Sequence, residues 1–348
     1  MKPVDTAERA SGGDASGGTP GAPAEAGTRS PLGLLRRQLQ QILAFASLIV
    51  LAGFFSIASS NFLTWSNISG ILLSTAVIGI LALGTTFVII TGGIELSLGT
   101  GMTLAAVMTG VFLVNLGWPL AVGVAGGVLV GALIGFINGV NIAFLKIPPF
   151  IATLAMMLIA EGLALVISDA APIYFTDVPG FNDISRGNLV PGLDLPNAVL
   201  ILFALTVVGA VILNKSILGR YTFAIGSNEE AAGISGISIR KWKIIVYTLS
   251  GAFMGIAGVV LAARLNSAQP SLGVGYELQA IAAVVIGGTS LQGGKGSIVG
   301  TLIGALIVGT VTNGLRIMSV PQEWQTVIIG LVILVAVYTD ILRRGKGG

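Results

Sequence analysis

The feature that most restricts this chain is a succession of long apolar runs separated by short polar connections. The runs cover residues 41–58, 67–90, 98–116, 118–140, 150–167, 197–213, 244–265, 277–288, 297–312 and 324–341. Most approach the roughly 20 apolar residues a helix needs to cross a bilayer. The eighth and ninth are shorter and rich in glycine. Hydrocarbon offers no partner for backbone N–H and C=O groups, so each run must satisfy its own, as an α-helix does. Charge agrees: 9% of residues are charged, against about 25% in soluble domains. The prediction is an all-α polytopic membrane protein of about ten transmembrane helices.

Residues 1–38 precede the membrane domain, which is predicted over 39–342. Glycine, alanine, proline, serine and threonine dominate residues 1–30. Such a segment buries too little apolar surface to fold, so a disordered tail is expected. It lacks the apolar core of a signal peptide. With both termini in the cytoplasm, all of the 18 lysines and arginines except Arg186, Arg264 and Arg316 fall on the inner side. That bias is the positive-inside rule. The connection 168–196 then lies outside and is acidic, with Asp169, Asp177, Asp183 and Asp194 against Arg186. The net charge of +3 therefore reports membrane sidedness and does not suggest nucleic acid.

The connection 214–243 falls inside. It carries Lys215, Arg220, Arg240, Lys241 and Lys243 against Glu229 and Glu230. Within it, Asn228-Glu229-Glu230-Ala231-Ala232 reads as the start of a short helix. Asparagine is a good N-cap, and acids in the first turn suit the helix dipole. Gly233 and Gly236 would stop it. A short polar helix at a membrane surface suits the grip of another protein; an ordinary solvated loop is the alternative.

Glycine makes up 50 of the 348 residues. Gly123, Gly127, Gly131, Gly135 and Gly139 recur every fourth residue and share one helix face. Small residues at that spacing let helix backbones approach closely in lipid. Gly251, Gly255 and Gly258, and Gly300 with Gly304, repeat the device. An internal repeat is also visible. Gly92–Gly101 and Gly287–Gly296 share the pattern GGxxLxxGxG, each after an apolar run, and Gly131–Ile134 before Asn138 is echoed by Gly304–Ile307 before Asn313. Parallel and inverted arrangements both remain open.

Catalytic chemistry finds little footing. Cysteine and histidine are absent, which removes thiolate and imidazole metal ligands and the usual proton shuttle. Gly294-Lys295-Gly296-Ser297 is not a phosphate loop, because that motif needs serine or threonine directly after the lysine. No metal site, catalytic residue or cofactor site is expected in this chain. Candidates for a polar translocation path are Glu161, which falls well inside an apolar run, Glu95, and Asn138, Asn141 and Asn313. Helix capping is the competing role for Glu95 and the asparagines.

Four stretches carry a family resemblance. They are TFVIITGGIELSLG (86–99), IPPFIATLAMM (147–157), GRYTFAIGSNEEAAGISGI (219–237) and AIAAVVIGGTSLQGGKGSIVGTLIGAL (280–306). In this order they resemble the permease subunits of bacterial ribose-type ABC sugar importers, over roughly residues 39–342. The resemblance implies an inner-membrane subunit that passes a monosaccharide or related small polar solute. It implies a second permease copy, identical or paralogous, a cytoplasmic ATPase that uses ATP and magnesium, and an extracytoplasmic binding protein. It implies that Gly226, Asn228, Glu229, Glu230, Ala231, Ala232 and Gly236 belong to a coupling element that docks on the ATPase. Nucleosides and branched-chain amino acids are alternative cargoes within the wider family. A stand-alone secondary transporter or facilitator is the alternative from another class.

Overall fold

The computed structural model of the chain describes residues 31–345 other than 191 and 193. The chain divides into two compact units, residues 1–38 and 39–348. The expected disorder of residues 1–30 lies outside the described residues. Residues 31–38, assigned to the tail from sequence, are helical and open α1 (Pro31–Ala58). Six of these eight residues are leucine, arginine or glutamine, all good helix formers, and Pro31 stands at the helix start where proline is tolerated.

From there the order is α2 (Trp65–Ile90), α3 (Leu98–Gly110) with a π-helical extension (Val111–Asn115), α4 (Leu120–Ala143) and α5 (Pro149–Ile167). Next come β1 (Ile173–Tyr174), α6 (Asp183–Arg186), α7 (Asn197–Lys215), α8 (Ile217–Ser227), α9 (Glu229–Ile234) and α10 (Ile239–Leu265). The chain then runs through β2 (Ser267–Ala268), α11 (Tyr276–Ile286), α12 (Ile298–Ile317) and α13 (Gln322–Gly345). Prolines mark several starts: Pro119 and Pro196 precede α4 and α7, and Pro149 opens α5. A missing N–H costs nothing there, because the first helical donors have no intrahelical partner.

This is a multi-pass all-α membrane protein. Among the described residues, 7 helices are long and apolar enough to cross a bilayer: α2, α3 with its extension, α4, α5, α7, α10 and α12. Shorter apolar stretches occupy Ile42–Ala58, Tyr276–Ile286 and Gln322–Val335. The eighth predicted run is cut back to the 11 residues of α11, because Gly287-Gly288 ends it and Gly288 has φ 91°. The connection 168–196 is partly structured. It contributes β1, which pairs antiparallel with β2 through Ile173↔Ala268 and Tyr174↔Ser267, and also α6. The connection 214–243 is almost entirely helical, and α10 begins at Ile239, five residues before the predicted run.

Helix α2 is the central post. Every residue from Thr75 to Ile90 is buried, against α7, α10, α11 and α12. Helices α4, α5 and α7 are far less enclosed, with a third or less of their apolar stretches buried.

Lipid supplies no hydrophobic force between helices, so close contact must come from shape. The glycine stripe of α4 shows how. Gly131 lies against the backbone of Gly251 and Gly255, Gly135 against Tyr247 and Gly251, and Gly139 against Ile244 and Tyr247. Partner numbers fall as stripe numbers rise, so α4 and α10 run antiparallel. The other two glycines serve a different neighbour: Gly127 meets Ala105 and Thr109 of α3, and Gly123 meets Leu113 in the π-helical extension. One face of α4 thus seats two elements in succession.

Candidate functional site

Asn228 is at once the C-cap of α8 and the N-cap of α9. Its side-chain oxygen accepts a hydrogen bond from the Ala231 N–H at 2.9 Å, filling one of the vacant donors of the first turn. The other end is closed by a Schellman motif. Ile237 N–H donates to the Ala232 carbonyl at 3.1 Å, and Gly236 N–H donates to the Gly233 carbonyl at 3.0 Å. Gly236 sits at φ 84°, a left-handed conformation that suits glycine at this position. Gly233, expected from sequence to help stop the helix, lies inside it.

A helix of 6 residues cannot persist in water on propensity alone. These caps and a few tertiary contacts hold it. Ala232 is buried, and Glu229 is paired with Lys243 of α10 at 2.7 Å. Tyr221 of α8 meets Trp242 of α10 edge-to-face at 4.9 Å. The outer face carries Glu230, Ala231, Gly233 and Ile234, and Ile234 is 84% exposed. A lone exposed isoleucine is ordinary. Here it stands beside two acids on a helix capped at both ends.

Beneath α9 the two glycine-rich loops meet. Gly294 N–H donates to the Ile90 carbonyl at 2.9 Å, satisfying one of the carbonyls that the end of α2 leaves open. Gly226, at the end of α8, fits against that same carbonyl so closely that a Cβ would overlap it and stand 2.6 Å from Gly294 N. A Cβ on Gly293 would lie 2.8 Å from the Gly226 carbonyl oxygen and 2.9 Å from Gly92 N. Three segments distant in sequence therefore touch backbone to backbone: 90–92, 226–227 and 292–294.

Of the path candidates, Glu95 and Asn138 are brought together. The Asn138 side-chain nitrogen donates to the two Glu95 carboxylate oxygens at 3.0 and 3.3 Å, and to Ser97 Oγ at 3.0 Å. Glu95 also accepts from Ser97 N–H at 2.9 Å and from the Ser97 hydroxyl. Glu95 is only 2% exposed and Asn138 fully buried. Burial raises the carboxyl pKa of Glu95, against the lowering effect of its hydrogen bonds from Ser97 and Asn138. Tyr247 of α10 completes the cluster, its hydroxyl donating to the Ile94 carbonyl at 3.3 Å. This cluster ties the first glycine loop to α4 and α10.

Glu161 is half-buried on α5, and Asn313 lies near the far end of α12 with a buried oxygen that no hydrogen bond satisfies. Neither joins the Glu95 cluster. Sequence reasoning missed Glu277, a buried carboxylate at the start of α11 that accepts from Gly275 N–H at 3.0 and 3.1 Å. A glutamate in the first turn of an apolar run was the available signal. It also missed the meeting of Gly226 with Ile90 and Gly294, for which glycine spacing carries no clue.

The family described as "Branched-chain amino acid transport system / permease component" matches residues 67–337. The chain is 44% identical over 299 residues to the ribose import permease protein RbsC of Escherichia coli (strain K12), covering 84% of this chain and 91% of the relative. It is 44% identical over 303 residues to the ribose import permease protein RbsC of Bacillus subtilis (strain 168), covering 87% and 93%. It is 38% identical over 298 residues to the fructose import permease protein FrcC of Rhizobium meliloti, covering 83% and 82%. The family's description names amino acid transport, while these relatives are named for sugars. A match over most of the chain, joined to a helical bundle with a doubly capped surface helix, settles its kinship: this protein belongs to the branched-chain amino acid transport system / permease component family.

Proposed function

We propose that this chain is the membrane-spanning permease subunit of an ATP-binding-cassette importer for a monosaccharide or related small polar solute. The observation that carries the proposal is near-full-length similarity to permeases named for ribose and fructose import. Helix α9 supports it, since its two caps hold Glu230, Ala231 and Ile234 in one arrangement. In this reading α9 docks on a cytoplasmic ATPase, which binds ATP and magnesium and supplies the energy. Two permease copies, identical or paralogous, form the pathway, and an extracytoplasmic binding protein delivers the solute. Closure of the ATPase pair draws the α9 helices together and rocks the bundles, turning the pathway from one side of the membrane to the other. The membrane is the bacterial inner membrane, the bundle has about ten spans with an internal repeat, and both termini and α9 face the cytoplasm. Glu95, Asn138, Glu161 and Asn313 are candidates for the polar path, with Glu95 and Asn138 serving the architecture as well.

The test is copurification and uptake in reconstituted vesicles. The unsubstituted permease should retain its ATPase and drive ATP-dependent uptake once the loaded binding protein is added. Glu230→Lys combined with Ile234→Asp should strip off the ATPase and abolish uptake. Uptake by the purified chain alone, without ATP, would instead favour a facilitator or secondary transporter. A thermal-shift screen of sugars, nucleosides and branched-chain amino acids against the binding protein then separates the cargo classes.

A further inference from the structure

We infer that Gly226 is a positioning residue: it delivers the displacement of α9 simultaneously to the end of α2 and to the loop between α11 and α12. The inference rests on the reading of α9 as the ATPase contact, and three observations carry it.

The connection from α9 to the bundle has no slack. Asn228 closes α8 and opens α9, so no linker residue separates the two helices, and Gly226 stands two positions before that shared cap. At Gly226 the contact is backbone against backbone. Its Cα faces the Ile90 carbonyl and the Gly294 amide with no room for a methyl group between them. Close-packed protein is barely compressible, so a displacement here is passed on where a flexible side-chain layer would absorb it.

The receiving elements are not peripheral. Ile90 ends the buried central helix α2, and Gly294 belongs to the loop that leads into α12. The hydrogen bond from Gly294 N–H to the Ile90 carbonyl at 2.9 Å fastens the two receivers to each other. Gly293 adds a second point of contact, pressed between the Gly226 carbonyl and the Gly92 amide. The end of α8, the end of α2 and this loop therefore move as one block.

The experiment uses the complete importer, this chain with its ATPase and binding protein, in proteoliposomes. The probe is tritiated D-ribose, replaced by D-fructose or D-allose where the unsubstituted importer does not carry ribose. Two glycines inserted between Ser227 and Asn228 keep the Gly226 contact and the side-chain cap of α9 but introduce slack. The insertion should leave the ATPase bound and the thermal unfolding midpoint unchanged, while uptake per complex falls at least tenfold. Gly226→Ala, which wedges the block open, should likewise retain the ATPase, lower uptake at least tenfold and raise the ATP consumed per sugar moved. Uptake within twofold of the unsubstituted importer in the insertion variant would overturn the inference. So would loss of the ATPase from that variant. Failure of the docking reading shows separately, as an ATPase that stays bound when Glu230→Lys and Ile234→Asp are combined.

Discussion

The Asn138 side-chain amide bridges the two carboxylate oxygens of Glu95, donating to them at 3.0 and 3.3 Å. The pair joins a loop to α4 where both residues are shielded from water. Removing one partner of a buried hydrogen bond leaves the other unsatisfied, at about 1–3 kcal/mol. Asn138→Leu should therefore lower the unfolding midpoint in detergent, followed by tryptophan fluorescence. Glu95→Leu with Asn138→Leu also leaves the Ser97 N–H and hydroxyl without their acceptor, yet should cost less than the two single changes summed, because the singles share one interaction. Strictly additive losses would mean that the bond does not hold the loop.

The same carboxyl sets a pH dependence. Burial raises its pKa from the ordinary value of 4.5, so the folded protein keeps a proton that the unfolded chain has already released. The stabilisation is complete below 4.5 and is lost as pH rises through the raised folded value. Glu95→Gln should flatten that part of the stability–pH curve. An unchanged slope in the variant would assign it to another group.

The cap of α9 can be tested locally. Asn228→Ala removes the acceptor for Ala231 N–H, at about 1 kcal/mol, or roughly fivefold in an opening equilibrium. Amide hydrogen exchange across residues 229–234 should accelerate by about that factor, while exchange in α2 stays unchanged. Asn228→Asp, which also caps, should restore slow exchange.

Two glycines in neighbouring helices should respond oppositely to alanine. Gly162 in α5 has open space where a Cβ would go, and the change removes a helix penalty of up to about 1 kcal/mol. At Gly135 a Cβ would overlap the Tyr247 carbonyl oxygen and come within 2.9 Å of Gly251 Cα. Separating α4 from α10 there should cost about 1–3 kcal/mol. Thermal unfolding of the two variants should move the midpoint up or leave it level for Gly162→Ala, and down for Gly135→Ala.

Class and family were legible in the chain because hydrocarbon imposes strong rules on composition and run length, and because four motif stretches are distinctive. The cap at Asn228 was legible for a local reason: an N-cap bonds within its own turn. Other features depend on which segments meet. Nothing near Gly226 announces that Ile90 and Gly294 will lie against it, since glycine spacing reports a smooth surface without naming its neighbour. Glu95 shows the same limit. Its type at the end of a glycine motif suggested capping or a path, whereas its partner Asn138 is supplied by a helix two elements away. The helix boundaries near 286 and 239 shifted because glycine turns and polar first turns blur a hydropathy profile.

Helix α10 runs without interruption from the contacts with α8 and α9 to the strand pair. Its first turns carry Trp242 and Lys243, which hold α8 and α9, and β2 follows directly after its last turn, where it pairs with β1. At 1.5 Å per residue its 27 residues span about 40 Å. Every degree of tilt about one end shifts the other by about 0.7 Å over that length. Helix α10 thus has the reach of a lever, with the strand pair Ile173↔Ala268 at its far tip. A rotation of about five degrees at the α9 end would carry the opposite loop about 3.5 Å, more than the length of a hydrogen bond, with no change inside the helix itself.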